Sequence, residues 1–165
     1  MPTALSVTQH YAATPDRVFA LFGDPEFLSA RLAAGGGIDP AVISQESDHT
    51  SASLVTRQGI PASALPSVVS NFIQGDPSTQ RTETWTADGV GGYAAAWSVT
   101  IKGAPASLKG SMTLAADGDE SVLTITGAAN VPVPLFGGKI EKVVVEQIAE
   151  LLVKEEKFTQ GYLAS

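Results

Sequence analysis

The chain has 165 residues, 17 acidic and 10 basic, for a formal net charge of −7, with 44% apolar and 16% charged residues. That length and composition suit one globular domain, residues 1–165, able to bury enough surface to need no staples. Without Cys there is no disulfide, thiolate nucleophile or Cys-ligated metal, and an acidic surface with no Lys/Arg cluster argues against nucleic-acid binding.

No apolar run approaches the roughly 20 residues needed to span a bilayer. The start, Met1-Pro2-Thr3-Ala4-Leu5, has neither a basic segment nor a long apolar one. The expectation is a cytoplasmic protein with no leader and no transmembrane segment.

From Thr3 to Tyr11 the pattern alternates, with Leu5, Val7, Gln9 and Tyr11 on one face, and predicts a strand. Thr14-Pro15-Asp16 then offers an N-cap, a proline at the first helical position and an early acid. Val18, Phe19, Leu21 and Phe22 form that helix's apolar face, and Gly23 ends it. Asp24-Pro25-Glu26 repeats the start signal for a second helix carrying Phe27, Leu28 and Leu32, which Gly35-Gly36-Gly37 stops.

Ala41–Ser47 and Ser51–Arg57 read as two strands joined through Asp48-His49-Thr50. Gln58–Ser78, with Pro61, Pro66 and Pro77, reads as a long loop holding a short helix near Ser67–Ile73. Strand signals resume at Thr79 and run to Trp85 or Ala87, then at Tyr93, Ala95, Trp97, Val99 and Ile101. They continue at Leu108, Met112 and Leu114, and at Leu123, Ile125, Ala129 and Val131. Short turns at Asp88-Gly89, Lys102–Pro105 and Asp117–Asp119 make these an antiparallel meander. Gly110 and Gly127 interrupt the apolar faces of its last two strands, as expected where a sheet curls.

After Gly137-Gly138 the period changes to 3.6. Ile140, Val143, Val144, Ile148, Leu151, Leu152 and Phe158 fall on one stripe, and Lys139, Glu141, Lys142, Glu146, Glu150, Lys154, Glu156 and Lys157 lie mostly on the other. Lys139–Gln160 is predicted as an amphipathic helix of about 33 Å. Burying its apolar stripe contributes roughly 10–20 kcal/mol before entropy, as an upper bound, so the helix needs a partner surface. Glu155 and Glu156 read as the helix's solvated end.

The order of one strand, two short helices, six strands and one long helix resembles the START-like (SRPBCC, helix-grip) superfamily. The residues that carry the likeness are Ala12-Ala13-Thr14-Pro15-Asp16-Arg17-Val18-Phe19, Asp24-Pro25-Glu26-Phe27 and Val133-Pro134-Leu135-Phe136-Gly137-Gly138-Lys139-Ile140-Glu141. In local detail they resemble an uncharacterised bacterial branch of it. The resemblance implies an α+β helix-grip fold, with a curved seven-stranded antiparallel sheet around the long C-terminal helix. It also implies a small apolar ligand, lipid-like or aromatic, held between sheet and helix. Other members of the superfamily are cyclases, dehydratases, hydrolases or protein-binding modules, so a polyketide cyclase/dehydratase-like enzyme or an interaction module is an alternative.

The meander's inward face offers Tyr93, Trp97, Leu108, Met112, Leu123 and Ile125, and the last helix opposes them with Val144, Ile148, Leu151 and Leu152. These residues are either walls of a ligand cavity or an ordinary filled core. Ala95, Gly110 and Gly127 favour the cavity because they leave room. Trp97 is the best single wall residue, since its indole N–H seeks a partner that a ligand or water would supply.

Arg81, Glu83 and Trp85 alternate on one strand. Turned inward, Arg81 and Glu83 are a polar anchor for the ligand; turned outward, they are solvated, and the register decides. With Tyr93 they are also the polar groups an enzyme on this scaffold would use. His10 and His49 are the only histidines and lack metal-ligand spacing, so neither a metal nor a catalytic histidine is indicated. Phe136-Gly137-Gly138-Lys139 lacks the spacing of a phosphate cradle, so no cofactor is implied. Val68, Val69, Phe72 and Ile73 form either an exposed docking patch or a lid over the cavity mouth.

Overall fold

The computed structural model describes residues 2–61, 65, 67–71, 73 and 75–165. Its elements are β1 (Thr3–Tyr11), α1 (Pro15–Leu21), α2 (Pro25–Ala34), β2 (Ile38–Ser47), β3 (Ser51–Gly59), α3 (Ser67–Ser70), β4 (Ser78–Ala87), β5 (Tyr93–Lys102), β6 (Ser107–Asp117), β7 (Glu120–Asn130) and α4 (Gly137–Ala164). The strands form one antiparallel sheet in the order β1-β7-β6-β5-β4-β3-β2.

Each helix start follows from its cap. The Thr14 hydroxyl accepts the Arg17 N–H, and the Asp24 carboxylate accepts the Glu26 N–H, with proline at the first helical position of both helices. Phe19 of α1 stacks on Tyr93, with ring centroids 3.9 Å apart, and Phe22 stacks on Trp85 at 5.0 Å. Phe27 of α2 meets Phe158 and Tyr162 of α4 edge-on, at 5.9 and 5.0 Å. The two short helices thereby close one end of the sheet–helix sandwich.

The sheet bends where two glycines face each other. Gly110 pairs with Gly127, and a Cβ on Gly110 would lie 1.8 Å from the Thr126 carbonyl oxygen and 2.5 Å from Gly127 Cα. No side chain fits between the two strands there. Trp97 pairs with Gly110 from the other side and lays its ring over Gly127, where an added Cβ would sit 3.3 Å from the indole Cζ2. Ala95, Gly110 and Gly127 are expected from sequence to leave room for a ligand; at Gly110 the Thr126–Gly127 backbone takes that room, and over Gly127 the indole does.

The two sheet edges are protected differently. The outward N–H of His10 on β1 donates to Glu156 Oε2 at 2.8 Å, and the His10 carbonyl accepts from Gln160 Nε2 at 2.8 Å. α4 thus covers the β1 edge with side chains. On the other edge β2 carries Pro40 and register irregularities between Ile38 and Ala41 and between Val42 and Ser44, which spoil it as a template for another strand.

α4 has 28 residues and is longer at both ends than the Lys139–Gln160 span expected from periodicity. Its buried line runs Gly137, Glu141, Val144, Ile148, Leu152, Glu155, Thr159, Leu163. The steps of three and four are those of a helix face against a sheet. Two expectations are corrected here. Glu141, assigned to the solvent stripe, is 3% exposed, because its carboxylate accepts the Val131 N–H at 2.9 Å and the Thr3 hydroxyl at 3.0 Å. Glu155, assigned to a solvated helix end, is 7% exposed and ion-paired.

Candidate functional site

Between α4 and the sheet the space is unevenly filled. Near the N-terminal half of α4 it opens into a cavity of about 200 Å3. Ile140, Val143, Val144, Ile148 and Leu151 wall it from the helix, and Gln58, Gly59, Thr79 and Ile101 from the ends of β3, β4 and β5. Gly35–Gly37 close one side, and Ile60, Pro61, Leu65 and Ile73, described residues between β3 and β4, also line it. The exposed side chains of Gln147, Glu150 and Lys154 stand at its rim. An apolar cavity of roughly 150 Å3 stays dry and takes up benzene, so this one has room for a small guest. A groove of about 1020 Å3 lies on the outer side of the same segment, but Asp39, Arg57, Asp76, Gln80 and Lys102 line it and water competes for it.

Toward the C-terminal half of α4 the space is filled by charge. Glu83 is 1% exposed and takes an ion pair from Arg81 Nε at 2.9 Å and another from Arg31 Nη2 at 3.6 Å. Arg81 Nη1 donates to both oxygens of Glu155, at 2.9 and 2.8 Å. The Trp85 indole N–H donates to Glu83 Oε1 at 3.0 Å. Arg31 lies over the rings of Phe22 and Phe27, and Arg81 over that of Trp97, all within 6 Å of the centroids. Two arginines and two glutamates balance, which is the condition for burying them.

The titration behaviour follows from this pairing. Burial alone would push the Glu83 carboxyl up, but Arg81 and Arg31, with the Trp85 hydrogen bond, outweigh it and hold the carboxyl below the usual range. The Tyr11 hydroxyl is pushed up, chiefly by burial and then by the Glu155 charge. Tyr11 Oη donates to Gln9 Oε1, and Gln9 Nε2 donates to the Leu152 carbonyl at 2.9 Å, which ties β1 to α4 beside the quartet.

The residues singled out in sequence separate into four places. Val144, Ile148 and Leu151 line the cavity. Arg81 and Glu83 face inward within the quartet, bordered by voids of only about 20 and 10 Å3. Such voids hold about one water each. Trp97, Leu108, Met112, Leu123, Ile125 and Leu152 are buried core at 5% exposure or less. The Trp97 N–H expected to await a ligand is already donated to the Thr126 carbonyl at 3.0 Å. Tyr93 lies against α1, where its hydroxyl donates to Asp16 at 2.7 Å; burial, then Asp16, pushes its pKa up to about 12. It borders neither the cavity nor the voids.

Sequence reasoning missed Arg31, Glu155, Gln58 and the glycine run. The first two had a usable signal, a charge standing on an otherwise apolar helical line: Phe27, Leu28, Arg31, Leu32 in α2, and Ile148, Leu152, Glu155, Thr159 in α4. Of the suspected lid residues, Ile73 lines the cavity, while the side chains of Val68 and Val69, and Phe72 altogether, lie outside the described residues. His10 and His49 are exposed. Among the described residues, no group of three His, Asp or Glu could hold a metal, and no helix is long and apolar enough to cross a membrane.

Comparison with known proteins places this geometry. Over its whole length the chain is 28% identical to uncharacterized proteins of Mycobacterium tuberculosis and Mycobacterium bovis, and covers 99% of each. Among solved structures, a Thermus thermophilus protein superposes with a TM-score of 0.62 at 16% identity, covering 96% of this chain and 98% of its own. A START superfamily protein from Mycobacterium smegmatis gives 0.53 at 16% identity, with 96% and 95% covered. A STAR-related lipid transfer protein from Xanthomonas axonopodis gives 0.54 at 14% identity, with 94% and 85% covered. At these identities the likeness shows the helix-grip fold alone. The family model described as protein of unknown function (DUF2505) matches residues 6–163, and the chain belongs to that family.

Proposed function

We propose that the chain works as one START-like domain that binds a small apolar molecule in the cavity beside the N-terminal half of α4. The observation that carries this reading is the cavity itself: about 200 Å3 left unfilled, with mostly apolar walls, against voids of only about 10 and 20 Å3 beside the quartet. Arg81 and Glu83 act on such a ligand only at a distance, since each is engaged within the quartet. A cyclase or dehydratase role is less well supported, because the voids beside these charges have no room for a substrate.

The test is a titration of the purified protein with toluene and naphthalene, followed by methyl NMR of Ile, Leu and Val. Saturable shifts at Ile140, Val144 and Ile148 are expected. Val143→Trp, which puts an indole into the cavity, should abolish them while the rest of the spectrum stays dispersed. Saturation that survives Val143→Trp, or no saturation at all, would sink the reading.

A further inference from the structure

We propose that Gly35, Gln58 and Leu151 form a partition that limits the ligand to a compact, uncharged molecule of about one ring or a short chain; this rests on the binding reading above. Gln58, Thr79, Ile148 and Leu151 border both the cavity and the void beside Arg31, Arg81 and Glu155. Those four side chains are therefore the wall between an apolar chamber and buried charge.

The wall closes because two glycines make room for it. A Cβ on Gly35 would lie 2.9 Å from Leu151 Cδ1, and one on Gly37 would lie 2.5 Å from Gln58 Oε1. Gly35 has φ −71° and ψ −16°, a conformation open to any residue. The backbone does not require glycine at 35; the space taken by Leu151 and the cavity does. Gln58 Oε1 is buried without a hydrogen-bond partner, held in the wall by packing. An unsatisfied buried acceptor is unfavourable, so its place there has to come from the closed wall.

Size and charge selection follow. The chamber is only somewhat larger than one that holds benzene, so a guest lying wholly inside it is about one ring in size; a long acyl chain or a fused-ring sterol has to break the wall or leave its excess in solvent at the open rim by Gln147, Glu150 and Lys154. A carboxylate carried to the inner end of the chamber finds no cation there, because Arg31 and Arg81 lie behind the partition with their own partners and Lys154 stands out at the exposed rim. Burying that charge unpaired is strongly unfavourable.

The probes are alkylbenzenes from toluene to heptylbenzene, with 4-phenylbutyrate as the charged member, titrated into the full chain by methyl NMR. Affinity should rise about fourfold per methylene until the chamber is full, then level or fall. 4-Phenylbutyrate should bind at least tenfold more weakly than butylbenzene. Leu151→Ala should move the break to longer chains. Gly35→Ala, which adds a methyl to the cavity wall, should move it to shorter ones, and Gln58→Ala serves if Leu151→Ala does not fold. Affinity that climbs through heptylbenzene without a break, or a break that stays put in folded Leu151→Ala or Gln58→Ala, overturns the partition alone. Failure of every probe to bind overturns the binding reading with it.

Discussion

Two halves of one helix face the same sheet and are finished in opposite ways. From Ile140 to Leu151, α4 presents aliphatic side chains to an unfilled chamber; from Leu152 to Thr159 it presents a packed interior with four charges inside. Apart from Glu141, which is turned to Val131 and Thr3, the apolar half has no directional partners, so it can stay loosely filled at the cost of lost dispersion contacts. The charged half has no such freedom, because a gap there would leave a carboxylate or guanidinium without its counterpart. In this fold, the place that can accept a guest is the half whose walls need no particular partner.

The sharpest way to break the contrast is to unbalance the quartet. Glu83→Gln keeps the shape of the side chain but leaves Arg31 and Arg81 facing Glu155 alone. We expect a loss of about 3–5 kcal/mol in urea unfolding, the range found when one member of a buried pair is removed. Replacing the arginines and glutamates together by Met and Leu should cost far less, since no charge is then left unpaired.

Acid should act on the same site. The Glu83 carboxyl is held below its ordinary value in the folded state, so its stabilising contribution is present above the unfolded pKa of about 4.3 and is lost as pH falls through the lower folded value. The unfolding midpoint of the natural chain should fall as pH is lowered from about 5 toward 3. In Glu83→Gln that fall should be shallower. An equal slope in both would show that other carboxylates carry the acid sensitivity.

The fold was legible because local signals and periodicity agreed. Thr14-Pro15-Asp16 and Asp24-Pro25-Glu26 mark the helix starts where the caps form, and alternation locates every strand of the meander within a few residues. The site was less legible for two physical reasons. Polarity in sequence reads as exposure, which hides Arg31, Glu141 and Glu155; only long-range partners such as Arg81 for Glu155 and Val131 for Glu141 explain their burial. Small residues likewise read as space. Gly110 is closed by the Thr126–Gly127 backbone and Gly127 is covered by the Trp97 ring, while the space lies by Gly35–Gly37, whose run reads in sequence only as a helix stop. Whether a glycine makes a hole depends on which side chain lies over it, and that is fixed by strand pairing.

A milder comparison uses two adjacent leucines. Leu152 is 1% exposed and borders only the void of about 10 Å3 beside the quartet, whereas Leu151 is half-buried with one side on the chamber. Leu152→Ala should cost about 2–5 kcal/mol, the transfer term plus a new cavity. Leu151→Ala should cost about 2 kcal/mol or less, because part of its surface already lacks neighbours. Equal costs by chemical denaturation would mean that the chamber wall is as tightly packed as the core.

The smallest effect concerns how α4 holds its charged half in register. Glu156 and Gln160 reach over the β1 edge to the N–H and carbonyl of His10, each one residue past Glu155 and Thr159 of the buried line. Each contact is a partly exposed hydrogen bond, so Glu156→Ala should cost about 1 kcal/mol. Its more telling consequence is at the edge. With the His10 N–H uncovered, β1 presents an unpaired donor to solvent, and such edges invite pairing with a second chain. Amide exchange at His10 should accelerate in Glu156→Ala, while exchange at Val144 and Ile148, beside the chamber, stays unchanged. If both sets accelerate together, α4 moves as one rigid unit and its two halves are not independent, which would erase the distinction drawn between them.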